Sequence, residues 1–341
     1  MLTLVLETPG KLVAMETKAP DSAPGPDEAL VRVHRVGVCG TDLHAYAGHQ
    51  PFFTYPRILG HELGVEVLAI GANVKNVAIG DRCAVEPYLN CGRCIACRTG
   101  KPNCCRTLQV LGVHTDGGHR AKLMVPAAKL HRSSMLSYDQ LALVETLGIG
   151  AHAVGRSQLQ AGESVAVIGA GPIGLAVMQF ARAAGARVIA VDVSESRLAF
   201  CRDRVGITDQ IDARGGGVVA RLEALTNGDL PTAVFDATGN VQSMNACFDF
   251  VAPGGRLVMV SLVQADVSFH DPHFHRRELT VLSSRNALPA EFTNIIKLIE
   301  EGRIDTTSWI THRASLAEVP AVFESWTKPE TRVIKAMIEV D

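Results

Sequence analysis

The sequence predicts an α/β protein built in two parts, a β-rich portion and a doubly wound parallel sheet with helices on both faces. Three observations carry that expectation. The chain has 341 residues, more than one ordinary core of about 100–200 residues organises. Its texture changes near Glu145: short β-like runs between Gly, Pro and Asn turns come before, and strand-sized apolar runs alternating with helical patterns come after. A glycine-rich turn separates the first of those later strands from the first helix.

From Leu2 to about Ser137, runs such as Ala29–Val36 and Val65–Ile70 read as strands. Ser164–Ile168 reads as a buried strand, Ile173–Ala184 as a helix and Arg187–Val191 as a second strand, which together make a βαβ unit. Ala233–Phe235 and Arg256–Leu262 extend it into a parallel sheet. A helix over Ala290–Glu301 and a last strand over Arg332–Val340 fit either part, and pattern alone does not assign them.

Thirty-three basic against thirty-five acidic residues, a formal charge of -2, oppose nucleic acid as a partner. The start, Met1–Leu6 followed by Glu7, has neither a basic leader nor a long apolar run, so a cytoplasmic location is expected. Ser164–Ala181 is uncharged and approaches membrane-spanning length, but Gly169, Gly171, Pro172 and Gly174 break it, so no membrane contact is expected. In that setting nine cysteines suggest metal ligands rather than disulfides.

Gly169-Ala170-Gly171-Pro172-Ile173-Gly174 is a G-x-G-x-x-G between strand and helix, with Asp192 ending the next strand. Gly169 permits the tight turn, Gly171 lets backbone approach a pyrophosphate, and Gly174 lets the helix pack on the sheet. Asp192 would accept from the adenosine ribose hydroxyls and repel a 2′-phosphate, so NAD is expected over NADP. Arg197 is a candidate for the adenosine end, weighed against a solvated helix arginine.

Cys91, Cys94, Cys97 and Cys105 follow C-x2-C-x2-C-x7-C, the spacing of a closed structural zinc site; Cys104 competes with Cys105 for the fourth place. Cys83, Cys201 and Cys247 lack such spacing and read as small core residues. Upstream, Cys39 in Gly37–His44 and the pair His61-Glu62 offer a thiolate, an imidazole and a carboxylate, a mixed set suited to a zinc with an open position.

Gly37–His44, Gly60-His61-Glu62, the Cys91–Cys105 lobe and the Gly169–Gly174 turn, in that order across nearly the whole chain, resemble the zinc-containing medium-chain dehydrogenases. Glu145 stands where the polyol, sugar-acid and threonine dehydrogenase branch carries a glutamate. The resemblance implies a GroES-like β-barrel catalytic domain from residues 1–149 and 285–341, with a Rossmann domain inserted at 150–284. It implies that Cys39 and His61 hold a catalytic Zn²⁺ with Glu62 and Glu145 as further candidates, that Asp42 orients His61, and that Thr41 and His44 carry the alcohol proton. NAD would accept the hydride, the substrate being a small alcohol, polyol, sugar or sugar acid, and the chain would assemble as a dimer or tetramer. Two positions depart from relatives: Gly40, where some carry a basic residue, and His119-Arg120, where many carry an aromatic and a small residue. Arg120 reads as an exposed surface arginine.

One thiolate, a neutral His61 and one carboxylate balance Zn²⁺, whereas a second carboxylate makes the site anionic. Glu62 and Glu145 are therefore not both expected to bind tightly throughout turnover. Arg285, after Ser283-Ser284, is a candidate for cofactor or substrate contact, weighed against an interdomain salt bridge. His270, His273 and His275 fit no standard metal spacing and read as a solvated loop. The competing functions are a nucleic-acid-binding zinc module, a zinc-free reductase of the same superfamily and a silent homologue.

Overall fold

Five residues from Ser164 to Ile168, with Val165, Ala166 and Val167 wholly buried, form the central strand of a six-stranded parallel sheet in the computed structural model, which describes residues 1–20, 23–51 and 53–340. Across the sheet the strands run Asp209–Asp212, Arg187–Asp192, Ser164–Ile168, Ala233–Asp236, Arg256–Met259 and Thr280–Ser283. The chain winds outward both ways from Ser164–Ile168, so the crevice at that strand's C-terminal end is a topological switch point. The strand expected to reach Leu262 stops at Met259; the next residue's amide turns back to the Asp236 carbonyl, and Leu262 is exposed.

Helix Pro172–Ala183 starts one residue ahead of the expected Ile173, with Pro172 in the first turn, where its missing N–H costs nothing. Gly169 has φ +97°, and a Cβ on Gly174 would lie 1.8 Å from the Gly169 carbonyl oxygen, so both positions require glycine. His270, His273 and His275 lie not in a loop but in and beside a short helix, Asp271–Arg276, with Pro272 in its first turn.

The chain divides into Leu147–Ala287, which contains this sheet, and a second unit of Met1–Thr146 with Leu288–Asp341. The family resemblance places these crossings at 149/150 and 284/285. The first falls inside a 20-residue helix, Tyr138–Ser157, whose Leu141–Leu147 stretch is buried throughout. Burial on every side over that stretch leaves no exposed polar stripe there to announce the helix.

In the second unit a seven-stranded sheet runs Ile310–Ser315, Lys335–Glu339, Glu28–Val38, Glu62–Ile70, Arg82–Val85 and Leu130–Arg132, with Lys122–Pro126 also pairing Glu28–Val38. Its inner face packs Val31, Val33, Leu63, Val65, Ala336 and Ile338. The last strand begins at Lys335, not Arg332, which takes φ +54° at the end of a short turn. Antiparallel pairing of Ala336 with Val38 and Ile338 with Val36 assigns the C-terminal segment to this unit. No helix among the described residues is long and apolar enough to cross a membrane.

Candidate active site

Strand Glu28–Val38 ends beside the start of strand Glu62–Ile70, with Gly37 opposite Glu62. That register brings Cys39 to His61 and Glu62, and the ligand atoms of all three lie within 4.8 Å of one another. A Cβ at Gly37 would sit 2.0 Å from Glu62 Oε2, so this glycine makes room for the carboxylate. Cys39 caps the helix Gly40–Tyr46, where Thr41 and His44 stand three residues apart on one face, Thr41 half-buried and His44 exposed.

Asp42 does not hydrogen-bond His61 here, contrary to the expectation from the resemblance. Its Oδ1 lies 3.7 Å from His61 Nδ1, while Oδ2 accepts from the Cys39 N–H at 2.9 Å. Asp42 thus anchors the Cys39 backbone and faces His61 as a charge. Burial presses the His61 pKa down, but Asp42 and Cys39 outweigh it and hold the ring well above the usual histidine range. With Nδ1 facing Asp42, the other ring nitrogen is left for a metal.

The two glutamates have different partners. Glu62, wholly buried, receives Lys335 Nζ at 2.7 Å on each oxygen, and the same ammonium donates to the Val38 carbonyl at 3.2 Å. Burial alone would raise Glu62; the Lys335 cation brings it below the usual carboxylate range. Glu145 accepts from the Tyr88 hydroxyl at 2.5 Å, and burial raises it. It stands outside the tight group formed by Cys39, His61 and Glu62.

Lys335 and Tyr88 are site residues that sequence reasoning missed. Lys335 had a signal, a lone cation within the apolar run Val333–Ile338. It also alters the charge argument: one buried ammonium offsets one carboxylate, so the thiolate and both glutamates can accompany Zn²⁺ with no net charge.

The Sγ atoms of Cys91, Cys94, Cys97 and Cys105 all lie within 4.8 Å of one another, Cys94 and Cys97 at 3.6 Å. Four zinc–sulfur bonds of about 2.3 Å in a tetrahedron put sulfurs roughly 3.8 Å apart, so the lobe fits zinc. Cys104 is exposed and outside the group, whereas Cys83, Cys201 and Cys247 are buried. Backbone N–H groups of Arg93 and Cys94 draw the Cys91 thiol down to about 6, the electrostatic setting a thiolate ligand needs. Among the described residues no group of three or more potential ligands includes the three histidines near Asp271.

At the nucleotide turn, Asp192 Oδ2 accepts from the Ala170 N–H at 2.6 Å and Oδ1 from the Ser194 N–H at 2.7 Å. The carboxylate is thereby tied to the glycine turn. A Cβ placed on Gly171 would lie 3.8 Å from an Arg197 guanidinium nitrogen, so Arg197 stands near the turn as well as on its own helix. Arg285 is exposed just beyond the edge strand Thr280–Ser283. Arg120 is half-buried rather than exposed: its Nε donates to the Gly117 carbonyl at 3.0 Å within its own turn.

One unit carries a switch-point crevice with a carboxylate-tied glycine turn and the other a cysteine lobe and a mixed Cys/His/Glu cluster, and together these features define a metal- and dinucleotide-dependent oxidoreductase. The family model described as "Alcohol dehydrogenase GroES-like domain" matches residues 25–135, and that described as "Zinc-binding dehydrogenase" matches residues 172–301. The L-galactonate-5-dehydrogenase of Escherichia coli K12 is 39% identical over 338 residues, 99% of this chain and 98% of that one. The sorbitol dehydrogenase of Bacillus subtilis 168 is 30% identical over 326 residues, 92% and 90% of the two chains. The rspB alcohol dehydrogenase of Escherichia coli CFT073, solved with NADH, superposes with a TM-score of 0.92 at 29% identity, covering 100% of this chain and 99% of that one. The chain belongs to the zinc-binding alcohol dehydrogenase family, in company with polyol and sugar-acid dehydrogenases. A nucleic-acid-binding zinc module accounts for none of this whole-length likeness.

Proposed function

We propose that the protein oxidises a secondary alcohol of a sugar acid with NAD, using Cys39, His61 and a glutamate to hold a catalytic zinc. The observation that carries the reading is the donor set: the half-buried Cys39 thiol and the buried His61 imidazole and Glu62 carboxylate converge within 4.8 Å, with Glu145 and the Lys335 cation beside them. When bound, zinc would supply Lewis acidity to the alcohol and NAD would take up the hydride. Thr41 Oγ1 receives the alcohol proton and passes it toward the exposed His44 ring, which exchanges it with water. Cys91, Cys94, Cys97 and Cys105 hold a structural zinc. Similarity to a galactonate dehydrogenase over 99% of the chain favours an aldonate over a simple alcohol or threonine.

Gly169, Gly171, Pro172, Ile173 and Gly174 cradle the pyrophosphate, Asp192 takes the adenosine ribose, and Arg197 and Arg285 are further cofactor contacts. Edge strand Thr280–Ser283, with the exposed Leu262, Phe269 and Val281 nearby in the chain, is the face through which two copies pair. A reducing, cytoplasmic setting suits nine free cysteines. The test is NAD reduction across aldonates, polyols, threonine and simple alcohols, repeated with NADP. Turnover of an aldonate at least tenfold above the others is the expected result; preference for a simple alcohol, or for NADP, would overturn the reading.

A further inference from the structure

Between the two metal-ligand clusters runs a short segment, Glu86-Pro87-Tyr88-Leu89-Asn90-Cys91. Its alternate side chains engage both. Glu86, almost wholly buried, binds the Lys129 ammonium and accepts from His131 Nε2 at 3.3 Å. Tyr88 holds Glu145 at 2.5 Å. Asn90 Oδ1 accepts from Lys129 Nζ at 3.0 Å, and Asn90 Nδ2 donates to Cys97 Sγ at 3.7 Å. Cys91 is itself one of the four cysteines.

The orientation of the Asn90 amide is forced. An ammonium can only donate, so the amide oxygen must face Lys129, and the NH2 is left to face the sulfur. A cation held by a buried carboxylate thus polarises the amide that donates to a prospective thiolate ligand. Such outer hydrogen bonds orient metal ligands and tune their charge. The neighbouring Tyr88–Leu89 strand pairs with Gln109–Val110, and Tyr88 packs edge-on to Phe292, whose ring stacks on His131 at 5.0 Å. Little slack is left between the two ends.

We propose that this segment couples the two metal centres, Asn90 anchoring Cys97 in the structural lobe and Tyr88 transmitting the lobe's state to Glu145 as a positioning residue. The inference rests on the functional reading above, in which the lobe holds zinc and Glu145 belongs to the catalytic site.

The experiment uses holoenzyme with cobalt(II) in the catalytic position and zinc in the lobe. Lobe zinc is drawn off by a chromogenic chelator while the visible cobalt bands are followed. In the wild type the bands should shift in proportion to lobe zinc lost. Asn90→Ala should lose lobe zinc about tenfold faster, with Asn90→Ser, which keeps a donor, falling between. Tyr88→Phe should start with shifted bands, lose lobe zinc at the wild-type rate, and no longer respond to the loss. Cobalt bands indifferent to lobe zinc in the wild type, a full response in Tyr88→Phe, or zinc loss from both Asn90 variants at the wild-type rate would each overturn the coupling. Should Asn90→Ala fail to fold, Asn90→Ser and Tyr88→Phe carry the test. A wild type that holds no lobe zinc at the outset refutes the functional reading instead.

Discussion

Replacing Lys335 with methionine removes the one ammonium that sits 2.7 Å from both oxygens of Glu62, in a place where the two side chains are 2% and 0% exposed. The carboxylate left behind has no water to turn to. Removing one partner of a buried pair costs about 3–5 kcal/mol, because the other charge stays uncompensated. In a unit of about 200 residues each kcal/mol is worth roughly 2–4 °C in Tm, so metal-stripped Lys335→Met should melt about 6–20 °C lower. Glu62→Gln should show a similar loss, since it strands the ammonium. The double variant should recover most of it, because no unpaired charge remains. In zinc-loaded protein the penalty should shrink, the metal supplying positive charge of its own, while kcat/KM falls by roughly 10–100-fold as Glu62 loses its anchor. Thermal unfolding of the three variants, stripped and loaded, is the assay. A stripped Lys335→Met melting within about 2 °C of wild type, or a double variant no better than the singles, would refute the reasoning.

Other outcomes follow from the same structure. Glu163, paired with Arg256 at 2.7 Å and hydrogen-bonded to Thr232, is held down to about 2 by the Arg256 guanidinium. A depressed carboxylate stabilises the fold above its ordinary value near 4.5 and loses that contribution as pH falls toward 2. The Tm gap between wild type and Glu163→Gln should therefore be widest above pH 5 and close in acid; a gap independent of pH would contradict the assignment. Asp192→Ala should raise the KM for NAD by about tenfold and narrow the preference over NADP, one carboxylate contact being worth roughly 1.4 kcal/mol; initial rates with both cofactors decide it. Gentle chelation should remove one zinc per chain together with activity, while Cys39→Ser should bind a single zinc from the start. Metal analysis showing one zinc throughout, with activity intact, would favour a zinc-free reductase.

Much of the fold was legible because its signals are local. Ser164–Ile168, the glycine turn and the helix after it are dictated by side-chain bulk and backbone freedom within twenty residues, and they stand within one residue of where the pattern places them. Helix Tyr138–Ser157 was not legible, since its Leu141–Leu147 stretch is buried on every side and lacks the exposed polar face that marks a helical period. Strand Arg256–Met259 was overrun to Leu262 because an apolar residue on an exposed turn looks, in sequence, like one in a sheet.

By itself the sequence determined the chemistry on offer: four cysteines at zinc spacing, a thiolate, an imidazole and two carboxylates, and a turn that only glycine can make. Tertiary structure decided which of those groups meet and what holds each of them. Cys105 joins the lobe and Cys104 faces water, because adjacent residues on a turning chain point apart. Glu62 is paired with Lys335, 273 positions away, and Glu145 with Tyr88, 57 away. Partners so distant leave no mark in local pattern; they are set by strand register and by the requirement that a charge taken out of water find its counterpart.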